Sequence, residues 1–424
     1  MGERIWISIS RWVLCLVGVL VLAVVLPRMF DMAFKKSSPS SFVLYSPVTE
    51  GFLFSGNSPE GEFRYRDEAG NLYDRKTYMS LTPLFWYRDL FAWKIMPETL
   101  GGVPITREAV EAGAQFFRYR PGDMQREGIA LWPLLESASE FSDLRLPETL
   151  FWNKGRLIFE NGLTRRRDAT FTEAVETSLS DAGFVFPVAA VWGNPTTKKP
   201  HDDGWFLLDA EGRLFHLKQE KGLPICRNTG LAPPSGIRHV AVTEDARKEF
   251  FGYLITGDGG FHVLMQENYA LVRLDLEDFD PDTMGLLFMA DLLGRTLVYG
   301  DGEGFYALRL DREYRPLHRY TEARFPAFSQ GTAVARAILF PFTLKTRASY
   351  TKAADFALVP SGLLSLVGIL FAFLSFVLIR KKMEKPLCPG IREGVVLLLG
   401  GLYGLLVLCV EDGWFRGEKG QSRS

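Results

Sequence analysis

The chain has 424 residues, with 49 Lys and Arg against 50 Asp and Glu, and 33 Phe. That length allows one to three domains. Residues 37–353 carry 36 basic against 42 acidic side chains, the opposite of the basic surface by which a protein neutralises nucleic-acid phosphates, so no nucleic acid is expected as a partner. Cys15 and Cys409 fall in apolar runs, Cys388 in a basic loop, and only Cys226 in the polar part. The polar part therefore holds no internal disulfide, and there is no C-x-x-C pair for zinc or redox work.

Residues 1–36 contain the first apolar run, Trp12–Pro27, extended upstream by Ile5–Ser10 and preceded by Arg4 and Arg11. No A-x-A cleavage site follows, so the run reads as an uncleaved signal anchor, with a cleaved signal peptide as the alternative. Lys35–Ser41 (KKSSPSS) is a polar linker.

Residues 37–183 read as an α+β subdomain. Ser41–Ser55 is extended. Glu62–Tyr78 is a β-hairpin turning at Gly70-Asn71. Thr82-Pro83 opens an aromatic helix over Leu84–Lys94, which reads as core packing, with an interfacial helix as the alternative. Thr106 caps a helix through Ala114. Residues 117–165 look irregular, broken by Pro121, Pro133 and Pro147. Thr170 and Glu173 form a capping box for a helix that stops at Gly183.

Residues 184–353 change to short strands and tight turns. Three hairpins are expected: Trp205–Leu208 with Leu214–Leu217, Gly252–Thr256 with Phe261–Met265, and Thr296–Tyr299 with Phe305–Leu308. Gly212, Gly260 and Gly304 mark their turns, and spacing of this order is that of propeller blades. The repeats are thus either part of a β-propeller or an ordinary antiparallel sandwich.

Two further apolar runs close the chain. Residues 354–380 and 394–410 each read as a transmembrane helix, joined by a basic loop over 381–393 and followed by a tail, 411–424. Arg380, Lys381, Lys382, Lys385 and Arg392 set the topology: positive charge stays in the cytoplasm. The first helix then leads outward, residues 37–353 lie outside, and the third helix carries the tail outside. Gly400 and Gly404, and Ser361 and Ser365, have the four-residue spacing that lets helices approach closely, for packing within the chain or docking to a partner. No charged residue lies within the apolar runs Phe356–Ile379 and Gly394–Val410 of these spans, which argues against an ion pathway. The fold class is a membrane-anchored α+β chain, mostly antiparallel β in its soluble part, with three transmembrane helices.

Chemical motifs are few. His201, Asp202 and Asp203 in PHDDGW are the metal-ligand types closest together, yet adjacent side chains diverge and no further ligand is evident, so a solvated loop is the better reading. There is no Walker A sequence, no G-x-S-x-G and no H-E-x-x-H. No catalytic residue and no cofactor is expected.

The blocks FRYRDEAGNLYDRKTY (63–78), FWYRDL (85–90), GGVPITRE (101–108), PLLES (133–137) and GFVFP…GNPTTKKP (183–200) resemble a bacterial family known as a domain of unknown function (DUF4857-like). The resemblance covers most of residues 42–345 and carries no assigned chemistry. It implies a membrane-anchored envelope protein, in a family whose members are encoded beside ABC-transporter subunits. The expected function is a non-enzymatic accessory protein of the bacterial inner membrane with a large periplasmic domain, associated with an ABC permease and ATPase. The alternatives are a ligand-sensing or binding envelope domain, and an envelope enzyme.

Overall fold

The computed structural model describes residues 2–34, 41–58, 61–124, 131–138, 144, 147–301, 304–323, 328–347 and 355–411. It divides into two compact units, Met1–Ser38 with Phe325–Ser424, and Pro39–Arg324. The linker expected over residues 35–41 lies almost wholly outside the described residues. Helix α1 (Gly2–Phe34) opens the chain. Among the described residues it is the one helix long and apolar enough to cross a membrane, over Ile9–Phe34.

In the unit Pro39–Arg324, the first sheet is an antiparallel meander of β1 (Ser41–Ser46), β2 (Gly51–Asn57), β3 (Phe63–Asp67) and β4 (Leu72–Tyr73). The return strand expected to reach Tyr78 stops at Tyr73. Asp74 ends it by capping α2 (Arg75–Leu81): its carboxylate accepts from the Lys76 and Thr77 amides at 2.9 and 3.1 Å. Thr82 then closes α2 instead of opening the next helix, its hydroxyl donating to the Tyr78 carbonyl at 2.9 Å. The aromatic helix is consequently shorter than expected, α3 (Tyr87–Ala92). Leu90 on it is buried, while the flanking Phe85 and Trp93 are exposed.

A small ladder, β5 (Thr99–Leu100) with β6 (Val103–Pro104), precedes α4 (Arg107–Gly113). Thr106 caps α4 as expected, accepting from the Ala109 amide at 3.1 Å. The stretch expected to be irregular contains strands: β7 (Gln115–Tyr119), β8 (Trp132–Pro133), β9 (Thr149–Asn153) and β10 (Leu157–Asn161). With β11 (Arg166–Arg167), β8–β10 form the second sheet. Helix α5 (Ala169–Asp181) is capped by Asp168, which accepts from the Phe171 amide at 2.9 Å, not by Thr170.

The third sheet is β12 (Ala190–Gly193), β13 (Trp205–Leu208), β14 (Leu214–Glu220) and β15 (Leu223–Asn228). The fourth is β16 (Ile237–Val242), β17 (Phe250–Thr256), β18 (Phe261–Met265) and β19 (Leu271–Arg273). The fifth is β20 (Gly285–Ala290), β21 (Arg295–Gly300), β22 (Gly304–Leu310) and β23 (Pro316–Ala323), with β7 added beside β20 in the register Gln115↔Ala290 to Tyr119↔Leu286. The three expected hairpins are β13–β14, β17–β18 and β21–β22.

Alternate side chains of each strand reach the facing sheet. Phe151 and Phe159 of the second sheet pack with Trp205 and Phe215 of the third. Phe206 and Leu214 of the third meet Phe251 and Leu254 of the fourth. Tyr253 and Phe261 of the fourth meet Phe117 and Phe288 of the fifth, and Phe305 of the fifth meets Phe52 and Phe54 of the first. Rings dominate these contacts; Phe117 stacks on Phe288 at 4.5 Å.

The unit formed by the two chain ends holds α1, α6 (Gln330–Leu339), β24 (Phe342–Arg347), β25 (Asp355–Pro360), α7 (Ser365–Lys382), α8 (Ile391–Gly400) and α9 (Leu402–Glu411). Two expectations are corrected here. The helix expected over 354–380 begins only at Ser365, because residues 355–360 pair with β24 as a strand and Pro360 and Gly362 (φ +79°) break the backbone. The single helix expected over 394–410 is two ten-residue helices interrupted at Gly401, whose φ of +50° and ψ of −121° no helix can hold. Three transmembrane helices are therefore not what this unit contains.

Candidate functional site

A cavity of 480 Å³ lies among the first sheet, the fifth sheet and the α2–α4 region. Phe42, Leu44, Phe85, Phe116, Leu287 and Met289 give it an apolar wall. Strand alternation creates this wall. On β7, Phe117 and Tyr119 are buried in the core, which leaves Phe116 and Arg118 on the other face. Those two pair across the ladder with Met289 and Leu287 of β20, so two strands together present one face to the core and one to the cavity. The volume falls within the range of small-molecule sites.

Few polar groups border it. Tyr45 reaches it from β1; burial pushes its hydroxyl above the ordinary pKa, against the lowering charge of Arg309. Arg309 is itself buried, pairs with both oxygens of Asp291 at 2.7 and 3.0 Å, and lies 4.8 Å from the Tyr45 ring centre. Gln115 also borders the cavity. It is 3% exposed, and both its amide nitrogen and its amide oxygen are buried without a hydrogen-bond partner. Strand alternation turns its side chain toward the core side of β7, and leaving such a group unsatisfied costs on the order of 1–3 kcal/mol.

The sequence-chosen residues His201, Asp202 and Asp203 lie elsewhere, in a buried charge network before β13. Lys199 Nζ sits 2.7 Å from Asp202 Oδ1 and 2.6 Å from Glu244 Oε1. Asp202 also accepts from the Ser137 hydroxyl and the Gly204 amide. Asp203 takes the opposite direction and meets His201, Gln266 and Lys218. Burial works to raise the Asp203 pKa, but the His201 hydrogen bond and the Lys218 charge outweigh it and hold the carboxyl below its ordinary value. Burial pushes Glu244 up despite Lys199.

His216, between the Asp203 carbonyl and the Tyr269 hydroxyl, is driven down to about 4 by burial, aided by the Lys218 charge. Both oxygens of Asp202 and of Asp203, and Oε1 of Glu244, are occupied by donors, while Glu244 Oε2 is buried without a hydrogen-bond partner. Among the described residues, no group of three or more His, Cys, Asp or Glu is arranged to hold a metal ion. A polar cleft of 270 Å³ adjoins the network, lined in part by His216, Lys218, Arg227, Phe251, Gln266 and Tyr269. Lys218, His216 and Gln266 in it are already engaged with Asp203, which makes the apolar cavity the better candidate site.

In the other unit, a Cβ at Gly400 would stand 3.3 Å from Val19 of α1, and one at Gly404 would collide with the Val396 carbonyl oxygen of α8. Ser361 and Ser365 sit at the entry to α7: the Ser361 amide donates to the Pro341 carbonyl and the Ser365 hydroxyl to the Gly362 carbonyl. Arg380 is buried and bound to Glu393 at 2.6 Å, Lys381 and Lys382 are exposed, Lys385 is half-buried, and Arg392 pairs with Glu411 at 2.7 Å.

The profile of a family described as a domain of unknown function (DUF4857) matches residues 42–308, more than half of the chain. The chain belongs to this family. Both the cavity and the charge network lie within the DUF4857 match, whereas α1 and the elements from α6 onward lie outside it. No curated protein matches the chain. Sequence reasoning passed over Gln115, Lys199 and Glu244. The alternation in QFFRY (115–119) was a usable signal for β7. Nothing local announces an ion pair between residues 45 positions apart.

Proposed function

We propose that this DUF4857 protein is a membrane-anchored, non-enzymatic binding protein. Its β-rich unit takes up a small, mainly apolar molecule. The observation that carries the reading is the 480 Å³ cavity with its apolar wall of Phe42, Leu44, Phe85, Phe116, Leu287 and Met289. Native mass spectrometry of the full chain, released gently from membranes, is expected to find a bound small molecule. Leu287→Trp, which fills the cavity, is expected to remove it. A ligand-free wild-type spectrum, with no thermal shift from a panel of fatty acids, amides and aromatic acids, would end this reading.

The membrane anchor is supported by the exterior of the helical unit. Trp12, Leu16 and Leu20 of α1 and Leu366, Leu370, Phe371, Leu374 and Leu378 of α7 are exposed, an apolar area too large to leave in water. Arg11 and Arg380–Lys382 mark the cytoplasmic ends, so α1 leads outward and Pro39–Arg324 is extracytoplasmic, in a bacterial inner membrane. In this setting the ligand unit serves as an accessory to an ABC permease and ATPase. Affinity purification at native expression is expected to recover both, and recovery of the protein alone would rule that role out. The finer architecture we read as blades of an incomplete propeller, supported by five successive meanders whose faces pack in series. An experimental map in which the second sheet packs fully across the first would make it a closed ring instead.

A further inference from the structure

We infer that α8 and α9 form a re-entrant hairpin that dips into one lipid leaflet and returns, so that both its ends lie at the same membrane surface. The inference rests on the membrane reading above.

Arg392 near the start of α8 and Glu411 at the end of α9 are joined by an ion pair of 2.7 Å. In one continuous helix these positions would stand about 28 Å apart, beyond the reach of any two side chains. The close approach of Gly404 to the Val396 carbonyl, eight positions earlier, says the same of the middle of the hairpin. Gly401 makes the turn; its positive φ favours glycine, and a Cβ there would be 3.3 Å from Pro341 and 3.4 Å from Ile369.

Three charged ends meet at the open side of the hairpin. Arg380 at the end of α7 pairs with Glu393, and Arg11 of α1 stands 3.8 Å from Glu411. The closed side is apolar and aromatic: Tyr403 packs between Phe340 and Phe342, and its hydroxyl donates to the Phe342 carbonyl at 2.7 Å. Ten helical residues rise about 15 Å, half the hydrocarbon thickness of a bilayer. The exposed Leu398, Leu399 and Val410 on the hairpin suit acyl chains. Interrupted helices at membrane depth persist where protein covers the freed backbone, and here Pro341, Ile369 and Tyr403 surround the turn.

The test uses the full chain with Cys226→Ser, so that the exposed Cys388 is the reporter of the basic loop, and an epitope tag placed after Ser424. Spheroplasts receive a membrane-impermeant maleimide and, separately, protease. We expect Cys388 and the tag to be protected together and to become reactive together on permeabilisation. Both reactive from outside would keep the hairpin and reverse the assigned orientation. Opposite sides for the two would overturn the hairpin while leaving the anchor intact. Loss of the protein from membranes in a carbonate wash would overturn the anchor and the hairpin with it.

Discussion

Lys199→Met offers a direct trial of the buried network. Lys199, Asp202 and Glu244 have side chains 2%, 2% and 0% exposed. Methionine keeps the length of the side chain and removes its charge. Asp202 and Glu244 would then face each other with no cation between them. Their oxygens both contact the same nitrogen, so they stand no more than about 5 Å apart. At an effective dielectric near 20, two charges at that distance repel by about 3 kcal/mol, which agrees with the ~3–5 kcal/mol seen when one partner of a buried pair is removed.

The expected fall in melting temperature is on the order of 10 °C, followed by tryptophan fluorescence on the full chain in mild detergent. Glu244 already has a raised pKa from burial. A group raised in the fold stabilises below its unfolded pKa and loses that contribution as pH rises through the folded value. The deficit of Lys199→Met should accordingly shrink as the pH is lowered. Adding Glu244→Gln should restore part of the loss, because the repulsion disappears. A single variant within about 1 kcal/mol of wild type, or a double variant less stable than the single one, would refute the reasoning.

Two other outcomes are expected. His216 and His239 are both lowered to about 4 by burial; groups lowered in the fold contribute stability above their unfolded pKa and lose it as pH falls toward the folded one, at up to roughly 3 kcal/mol each. Melting temperature should thus drop between pH 6.5 and 4.5, and His239→Phe should flatten the slope; a wild-type profile flat over that range would contradict it. Gly404→Leu should separate α8 from α9 at a cost of about 1–3 kcal/mol, seen as faster proteolysis of the α8–α9 region in detergent, whereas unchanged proteolysis would mean that the helices are not in contact there.

Period-two alternation and glycine turns made the three late hairpins legible, because β13–β14, β17–β18 and β21–β22 are set by local pattern. Capping was legible at Thr106. It misled at Thr82 and Thr170, where a neighbouring Asp or an earlier helix claimed the position. The apolar runs at the C-terminal end were legible as apolar only. Hydropathy counts residues and cannot register that Gly401 reverses the chain or that residues 355–360 pair with β24. The cavity was not legible at all, since its wall joins β1, β7 and β20, which the sequence separates widely and only the fold assembles.

The pairing of β7 with β20 carries a consequence for the order of events during synthesis. Four sheets can form as hairpin-built units soon after their residues emerge, each closing short loops. The fifth gathers a strand made near residue 115 and holds its edge open until residues near 290 arrive. Among the described residues that contact spans more of the chain than any other ladder in the unit, and long-range closure is slow. In the interval β7 is an unpaired edge next to aromatic side chains, the kind of surface that recruits the wrong partner. A chain truncated before β20 should therefore aggregate through residues 115–119, while one truncated after β23 should not.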